Sequence, residues 1–324
     1  MDKEERMDIK YLLFLQHLRE MTGGIFDEFF NDISKIAIGI LVFLPYVIYW
    51  SVDKKWGNRF FAVYFGTDIV NLCLKLTVCA YRPWIRSDAI HPAGDSKVDA
   101  TSYSFPSGHT ECVTSLLGPV AFWQWSVRRW LSILCIISIV LVGFSRNFLG
   151  VHTPQDVIVG FAEAVLILFI VAKLYPKVDG NDKAADLLCL AGVLFSFAFL
   201  AYIQLKPYPM DYVDGKLLVD PKNMMSDGFR ACGGFLAFCI GNFIDRHFIH
   251  YEVPVGHKNL PVLVAVGLGL LSSWRSYFSP LLMPFFGSHW GLFISSFVLA
   301  FLGIVVVPVI IKLMTYKDGK NHAR

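Results

Sequence analysis

Long apolar runs restrict this chain more than any other feature. They recur at about 35–52, 58–80, 107–127, 130–146, 155–175, 184–204, 227–246, 260–277 and 289–313, and each approaches the 17–25 residues that carry a helix across a bilayer. In lipid a backbone must satisfy its own N–H and C=O groups, so repeated runs of this length lead to a helical bundle. Composition agrees. Of 324 residues, 55% are hydrophobic and only 17% charged, against about 25% charged in ordinary soluble domains; mean hydropathy is +0.52. The expected fold is an all-α, polytopic transmembrane helix bundle of about nine spans. A net charge of +3, dispersed along the chain, gives no footprint for nucleic acid.

Residues 1–34 differ from the rest of the chain. Tyr11, Leu12, Leu15 and Leu18 share one helical face beside Arg19 and Glu20, Gly23-Gly24 breaks the pattern, and Ile25, Phe26, Phe29 and Phe30 resume it among acids. Basic n-region, long apolar core and small-residue cleavage site are not found together here, so these read as interfacial amphipathic helices and not as a cleaved signal. Three segments are expected: 1–34 at the interface, 35–205 as a membrane core, and 206–324 as additional C-terminal spans. The seven cysteines fall mostly inside apolar runs, with no C-x-x-C pair, and read as reduced, buried small hydrophobes.

Orientation follows from basic residues in short loops. Lys54, Lys55 and Arg59, then Arg128 and Arg129, then Lys173, Lys177 and Lys183, then Arg246 and Lys258, and finally Lys317, Lys320 and Arg324 fall on one side of such a bundle. That side is expected to be cytoplasmic, with the C-terminus. On the opposite side Lys206, Lys216 and Lys222 are balanced by Asp211, Asp214 and Asp220.

The other side also receives three polar motifs: the first and second stand at the two ends of one loop, and two crossings separate the second from the third. They are Lys75-x6-Arg82-Pro83, Pro106-Ser107-Gly108-His109 and Ser145-Arg146-x5-His152-x3-Asp156. Together they supply three fixed cations, two imidazoles, one carboxylate and a small-residue turn, an inventory that suits a phosphate monoester. Lys75 and Arg82 are seven apart, which on a continuous helix would be two turns of one face. Pro106 and Ser107 look like a helix start, where free N–H groups receive anions, and Gly108 permits close backbone approach. Thr153-Pro154 looks like another start, with Thr as cap and Pro at the first helical position.

These motifs, in this order and with this spacing, resemble the type 2 phosphatidic acid phosphatase (PAP2) superfamily over roughly the first two thirds of the chain. The number and placing of spans are also similar to the glucose-6-phosphatase layout. The resemblance implies a hydrolase in which His152 is the nucleophile, forming a phosphohistidine, with His109 as general acid and Asp156 orienting His152. Lys75, Arg82, Ser107, Gly108 and Arg146 would hold the phosphate, spreading its charge as phosphoryl transfer demands. No acid or histidine set has two-metal spacing, and neither a metal nor a cofactor is expected.

The expected substrate is a lipid phosphate or diphosphate hydrolysed at the extracytoplasmic face, periplasmic or lumenal, with membrane lipids as neighbours. A soluble sugar phosphate is the alternative substrate; vanadate-dependent halide oxidation and non-catalytic transport are more remote. Asp68, Glu111 and Glu163 are intramembrane acids that need a partner or a cavity, and Arg230 and Arg275 are candidate partners. They read first as structural pairs.

Overall fold

The computed structural model describes residues 7–97, 100, 102–213 and 215–321; Asp214 and Arg324 of the charge argument lie outside them. Among the described residues thirteen α-helices occur in chain order: α1 (Met7–Met21), α2 (Asp27–Gly39), α3 (Leu44–Ser51), α4 (Lys54–Val78), α5 (Pro83–Arg86), α6 (Gly108–Gln124) and α7 (Arg129–Phe148), then α8 (Pro154–Val178), α9 (Asp182–Leu205), α10 (Pro221–Ile244), α11 (Leu260–Ser273), α12 (Met283–Phe301) and α13 (Val307–Asn321). The only sheet among the described residues is a two-stranded antiparallel hairpin pairing Tyr212 with Leu217 and Val213 with Lys216. The molecule is thus an all-α, multi-pass bundle.

Among the described residues six helical stretches are long and apolar enough to span a bilayer: Asp27–Ser51, Lys54–Arg86, Arg129–Phe148, Pro154–Val178, Asp182–Leu205 and Leu260–Thr315. The expectation of about nine differs for three local reasons. Helix α6 has only 17 residues. Helix α10 carries Lys222, Asp227 and Arg230, which lower its mean hydropathy. The last two expected spans join into one stretch of 56 residues, although Gly287, at φ 72° and ψ 173°, interrupts its helical backbone.

The chain divides into two compact units. The first holds residues 1–42, 70–169 and 207–224; the second holds 43–69, 170–206 and 225–324. Three of the boundaries fall inside α-helices, in α4, α8 and α10.

Within the first unit the amphipathic N-terminal helices pack on the motif loops. Leu12 and Ile9 cluster with Ile90, and Phe30 and Trp84 pack against Ala93, Leu149 and Val151. Arg19, 6% exposed, donates to the carbonyls of His91 at 2.5 Å and Phe148 at 3.3 Å. Ser34 and Ser145 share a hydroxyl contact of 2.6 Å that ties α2 to α7. The polar edge of α1 therefore reaches backbone carbonyls, while Phe14 and Met21 remain exposed, as a helix lying at an interface requires.

The second unit is built on aromatic packing against glycine. A Cβ on Gly303 would meet the Tyr46 ring at 2.1 Å, and one on Gly233 would meet the Phe293 carbonyl at 2.2 Å. Close backbone approach of this kind is how membrane helices gain van der Waals contact without help from the hydrophobic effect. Asp68 is paired bidentately with Arg230, at 2.8 and 3.0 Å. One of the three intramembrane acids thus has the arginine partner that its sequence position requires.

Candidate active site

All eight residues singled out from the motifs fall in the first unit. Six of them, Lys75, Arg82, Ser107, Arg146, His152 and Asp156, are buried, while Gly108 and His109 are partly exposed.

Helix α8 carries the acid. Thr153 caps it: the Asp156 N–H donates to Thr153 Oγ1 at 3.4 Å, and the Thr153 N–H donates back to Asp156 Oδ2 at 2.8 Å. This reciprocal pair has the form of a capping box. The same Oδ2 accepts from Ser104 Oγ at 2.6 Å and contacts His152 Nδ1 at 3.3 Å. One carboxylate oxygen thus holds the helix start, the preceding loop and the imidazole.

His152 sits on a turn closed by its own neighbours. The N–H groups of Val151 and His152 donate to the Arg146 carbonyl, Gly150 takes φ 75°, and Asn147 Nδ2 donates to the His152 carbonyl at 2.9 Å. On the far side of the ring Arg82 Nη1 lies 2.9 Å from His152 Nε2. A guanidinium can only donate, so Nε2 must accept and carries a lone pair. The proton is then on Nδ1, facing Asp156. Arg82 and Asp156 together select the tautomer whose free nitrogen is Nε2. Burial, and after it the Arg82 charge, push the His152 pKa well below the ordinary imidazole value; Asp156 opposes them.

Arg82 also donates to the carbonyls of Ser102 at 2.8 Å and Val151 at 2.9 Å. Lys75 Nζ donates to the carbonyls of Tyr103, at 3.1 Å, and Pro106. Both cations therefore brace residues 102–106. One sequence expectation is corrected here: Lys75 and Arg82 do not lie on a single helix. Helix α4 ends at Val78, Cys79 takes φ 53°, and Arg82 is extended at φ −63°, ψ 152°. The residue before a proline is pushed out of the helical region, and Pro83 does this to Arg82.

Helix α6 begins as expected. Ser107 is its N-cap, its hydroxyl accepting from Thr110 N at 3.4 Å and Thr110 Oγ1 at 3.0 Å. Gly108 and His109 form its first turn. His109 is affected first by burial and then by the cations Arg146, Arg82 and Lys75.

Three contacts that the sequence reading missed lock this turn onto α8. The Ser107 N–H donates to the Asp156 carbonyl at 2.9 Å. Gly160 lies so close that a Cβ there would meet the Ser107 carbonyl oxygen at 2.6 Å. Asn71 Nδ2 donates to Glu163 Oε1, and Asn71 Oδ1 lies 3.9 Å from where a Gly108 Cβ would be. Positions 156, 160 and 163 recur at helical spacing on one face of α8. Glu163, for which an arginine was the expected partner, is thus partnered by an asparagine. A repeat of small and polar residues along α8 was visible in the sequence; what it faces was not. Among the described residues no cluster of three metal-ligating side chains is found, and none of the seven cysteines forms a disulfide.

A profile of the PAP2 superfamily matches residues 56–179. The chain is 26% identical to lipid phosphate phosphatase delta of Arabidopsis thaliana over 173 residues, 50% of this chain and 41% of that one. It is 32% identical to phosphatidylglycerophosphatase B of Bacillus subtilis over 133 residues, 39% of this chain and 61% of the relative. It is 42% identical to an undecaprenyl-diphosphatase of Sulfolobus acidocaldarius over 96 residues, 30% and 44% of the two chains. The matches cover less than two thirds of each relative's length. No solved structure matches this chain.

Proposed function

We infer that this chain, whose residues 56–179 match the PAP2 superfamily profile, is an integral-membrane phosphatase that hydrolyses a phosphate or diphosphate ester of a lipid. The observation that carries the reading is the tautomer of His152: Arg82 donates to Nε2 while Nδ1 faces Asp156. A binding site alone has no use for an imidazole held with Nε2 unprotonated and charged groups on both sides.

In the first step His152 Nε2 attacks phosphorus, and the bond to the alkoxy oxygen breaks. His109 gives its proton to that oxygen, and the lipid alcohol leaves. The imidazolium formed on His152 is stabilised by Asp156 through Nδ1–H, as in the hydrolase triads. In the second step water attacks the phosphohistidine; His109 takes its proton, and inorganic phosphate leaves with His152 neutral again. Arg82, Lys75 and Arg146, with the N–H groups at the start of α6, offset the charge on the equatorial oxygens. Arginine suits this because its fork can meet two oxygens at once.

A lipid is the proposed substrate because the motif loops adjoin membrane-spanning helices and the matched relatives are named for lipid phosphates, a phosphatidylglycerophosphate and an undecaprenyl diphosphate. The positive-residue pattern supports an extracytoplasmic site and a cytoplasmic C-terminus. The test is inorganic phosphate release by the purified chain in detergent with excess EDTA, across phosphatidate, phosphatidylglycerophosphate, polyprenyl diphosphate and sugar phosphates. Lipid phosphates should be turned over in EDTA. Turnover of sugar phosphates alone overturns the substrate class, and loss of all activity in EDTA with recovery on adding magnesium overturns the mechanism.

A further inference from the structure

The second unit contains a cavity of about 960 Å³. That is far above the scale of packing defects and in the upper part of the range for ligand sites, roughly 300–1,000 Å³. All of its lining residues belong to this unit, so it is separate from the catalytic residues of the first.

Its polarity is ordered lengthwise. Along α4 the lining passes from Lys54 and Asn58 to Ala62 and Gly66; along α9 it passes from Asp182 to Gly192 and Phe195. On α8 and α10, which run the other way, polarity falls with decreasing number, from Asp179 just after α8 to Leu174 and Ile170, and from Arg246 just after α10 to Phe238 and Phe235. Four segments thus agree on one polar end and one apolar end. The gradient follows the helices from their polar ends toward their apolar middles. An amphiphile with an alkyl chain and a polar head has the same gradient.

The polar end carries charge of both signs. Lys54, Lys55 and Arg246 line it, against Asp53, Asp179, Asp182 and Glu252. Two of the three cations already have acidic partners: Arg246 bonds Asp186 at 2.8 Å, and Lys54 meets Asp245 at 2.5 Å. A phosphate monoester would meet four acids against three bases there, in contrast to the three cations of the candidate catalytic site. A head group with one positive and one negative centre would find a partner for each.

We propose that this cavity is a binding site for a zwitterionic phospholipid, its acyl chain between α4, α8, α9 and α10 and its head among Lys54, Arg246 and the facing carboxylates. The site is independent of the phosphatase reading. The basic residues at its polar end are those that the charge pattern assigns to the cytoplasmic side, so the bound lipid belongs to that leaflet.

The test uses the full-length chain in detergent with a diazirine-bearing phosphatidylcholine, irradiation and peptide mapping. Labelling should map to residues 170–195 and 235–239, be competed by phosphatidylcholine in preference to phosphatidate or diacylglycerol, and persist in His152→Ala. Filling the apolar half with Ala62→Phe should lower labelling about tenfold or more, the scale on which pockets reject a misfit. Leu174→Trp fills the same half from α8 and serves if Ala62→Phe does not fold, as judged by gel filtration. Labelling that maps elsewhere, that neither filling variant reduces, or that phosphatidate or diacylglycerol displaces first overturns the proposal.

Discussion

Gly160 offers the sharpest test of how the catalytic turn is held. A methyl group at this position would meet the Ser107 carbonyl oxygen at 2.6 Å, the Ser107 nitrogen at 3.3 Å and its carbonyl carbon at 3.4 Å. All three are backbone atoms, so no rotamer can relieve the clash. Ordinary contact begins near 3.4 Å, so α8 and the Ser107 turn must separate by about 0.8 Å in Gly160→Ala. Stability should change little: alanine gains about 0.5–1 kcal/mol over glycine inside a helix, set against about 1–3 kcal/mol for overpacking. Activity should respond much more. The displaced turn carries Gly108 and His109, and a misplacement of about 1 Å costs on the order of 10² in rate. We expect kcat to fall about 10- to 100-fold with a thermal midpoint close to that of the parent. The assay is phosphate release in detergent beside a thermal unfolding curve. Gly143→Ala is the control, because its Cβ would meet mainly the Val157 and Thr110 side chains, at 3.1 and 3.5 Å, which can rotate. Full activity in Gly160→Ala would refute the claim that this contact sets the turn.

The two histidines should separate by leaving group. His152→Ala should abolish turnover of every substrate, whereas His109→Ala should cost about 10²–10⁴ with an alkyl phosphate and much less with a nitrophenyl phosphate; equal losses on both, followed by phosphate release, would remove His109 as the acid. Because burial and the Arg82 charge depress the His152 pKa, His152 stays neutral and competent well below pH ~6.5, and the acid limb of kcat/KM should lie there. Arg82→Gln removes a lowering charge and should move that limb to higher pH; Asp156→Asn removes a raising partner and should move it lower. A limb unmoved by Arg82→Gln contradicts the assignment. For topology, Asp95→Cys in a chain whose seven native cysteines are replaced should react with an impermeant thiol reagent in intact cells, and labelling only after permeabilisation would reverse the orientation.

Much of this protein is determined by short-range sequence. Apolar runs dictate helices because the bilayer leaves the backbone no other partner, and the starts of α6 and α8 follow from Ser107 and from Thr153-Pro154 because capping is settled within four residues. The motif order brings the catalytic candidates to one unit, and their identities name the chemistry. Other features depend on segments far apart in the chain. Arg82 reaches His152 across 70 positions and Asn71 reaches Glu163 across 92, so neither the tautomer nor the brace under Gly108 is written in any local window. Gly160 looks like any helical glycine until the Ser107 carbonyl is found against it. The same holds for the cavity, whose polar-to-apolar gradient exists only where four helix faces meet. Side-chain identity and local spacing decide what can bind and cap, whereas the choice of partner depends on which helix faces pack together, and only the tertiary structure decides that.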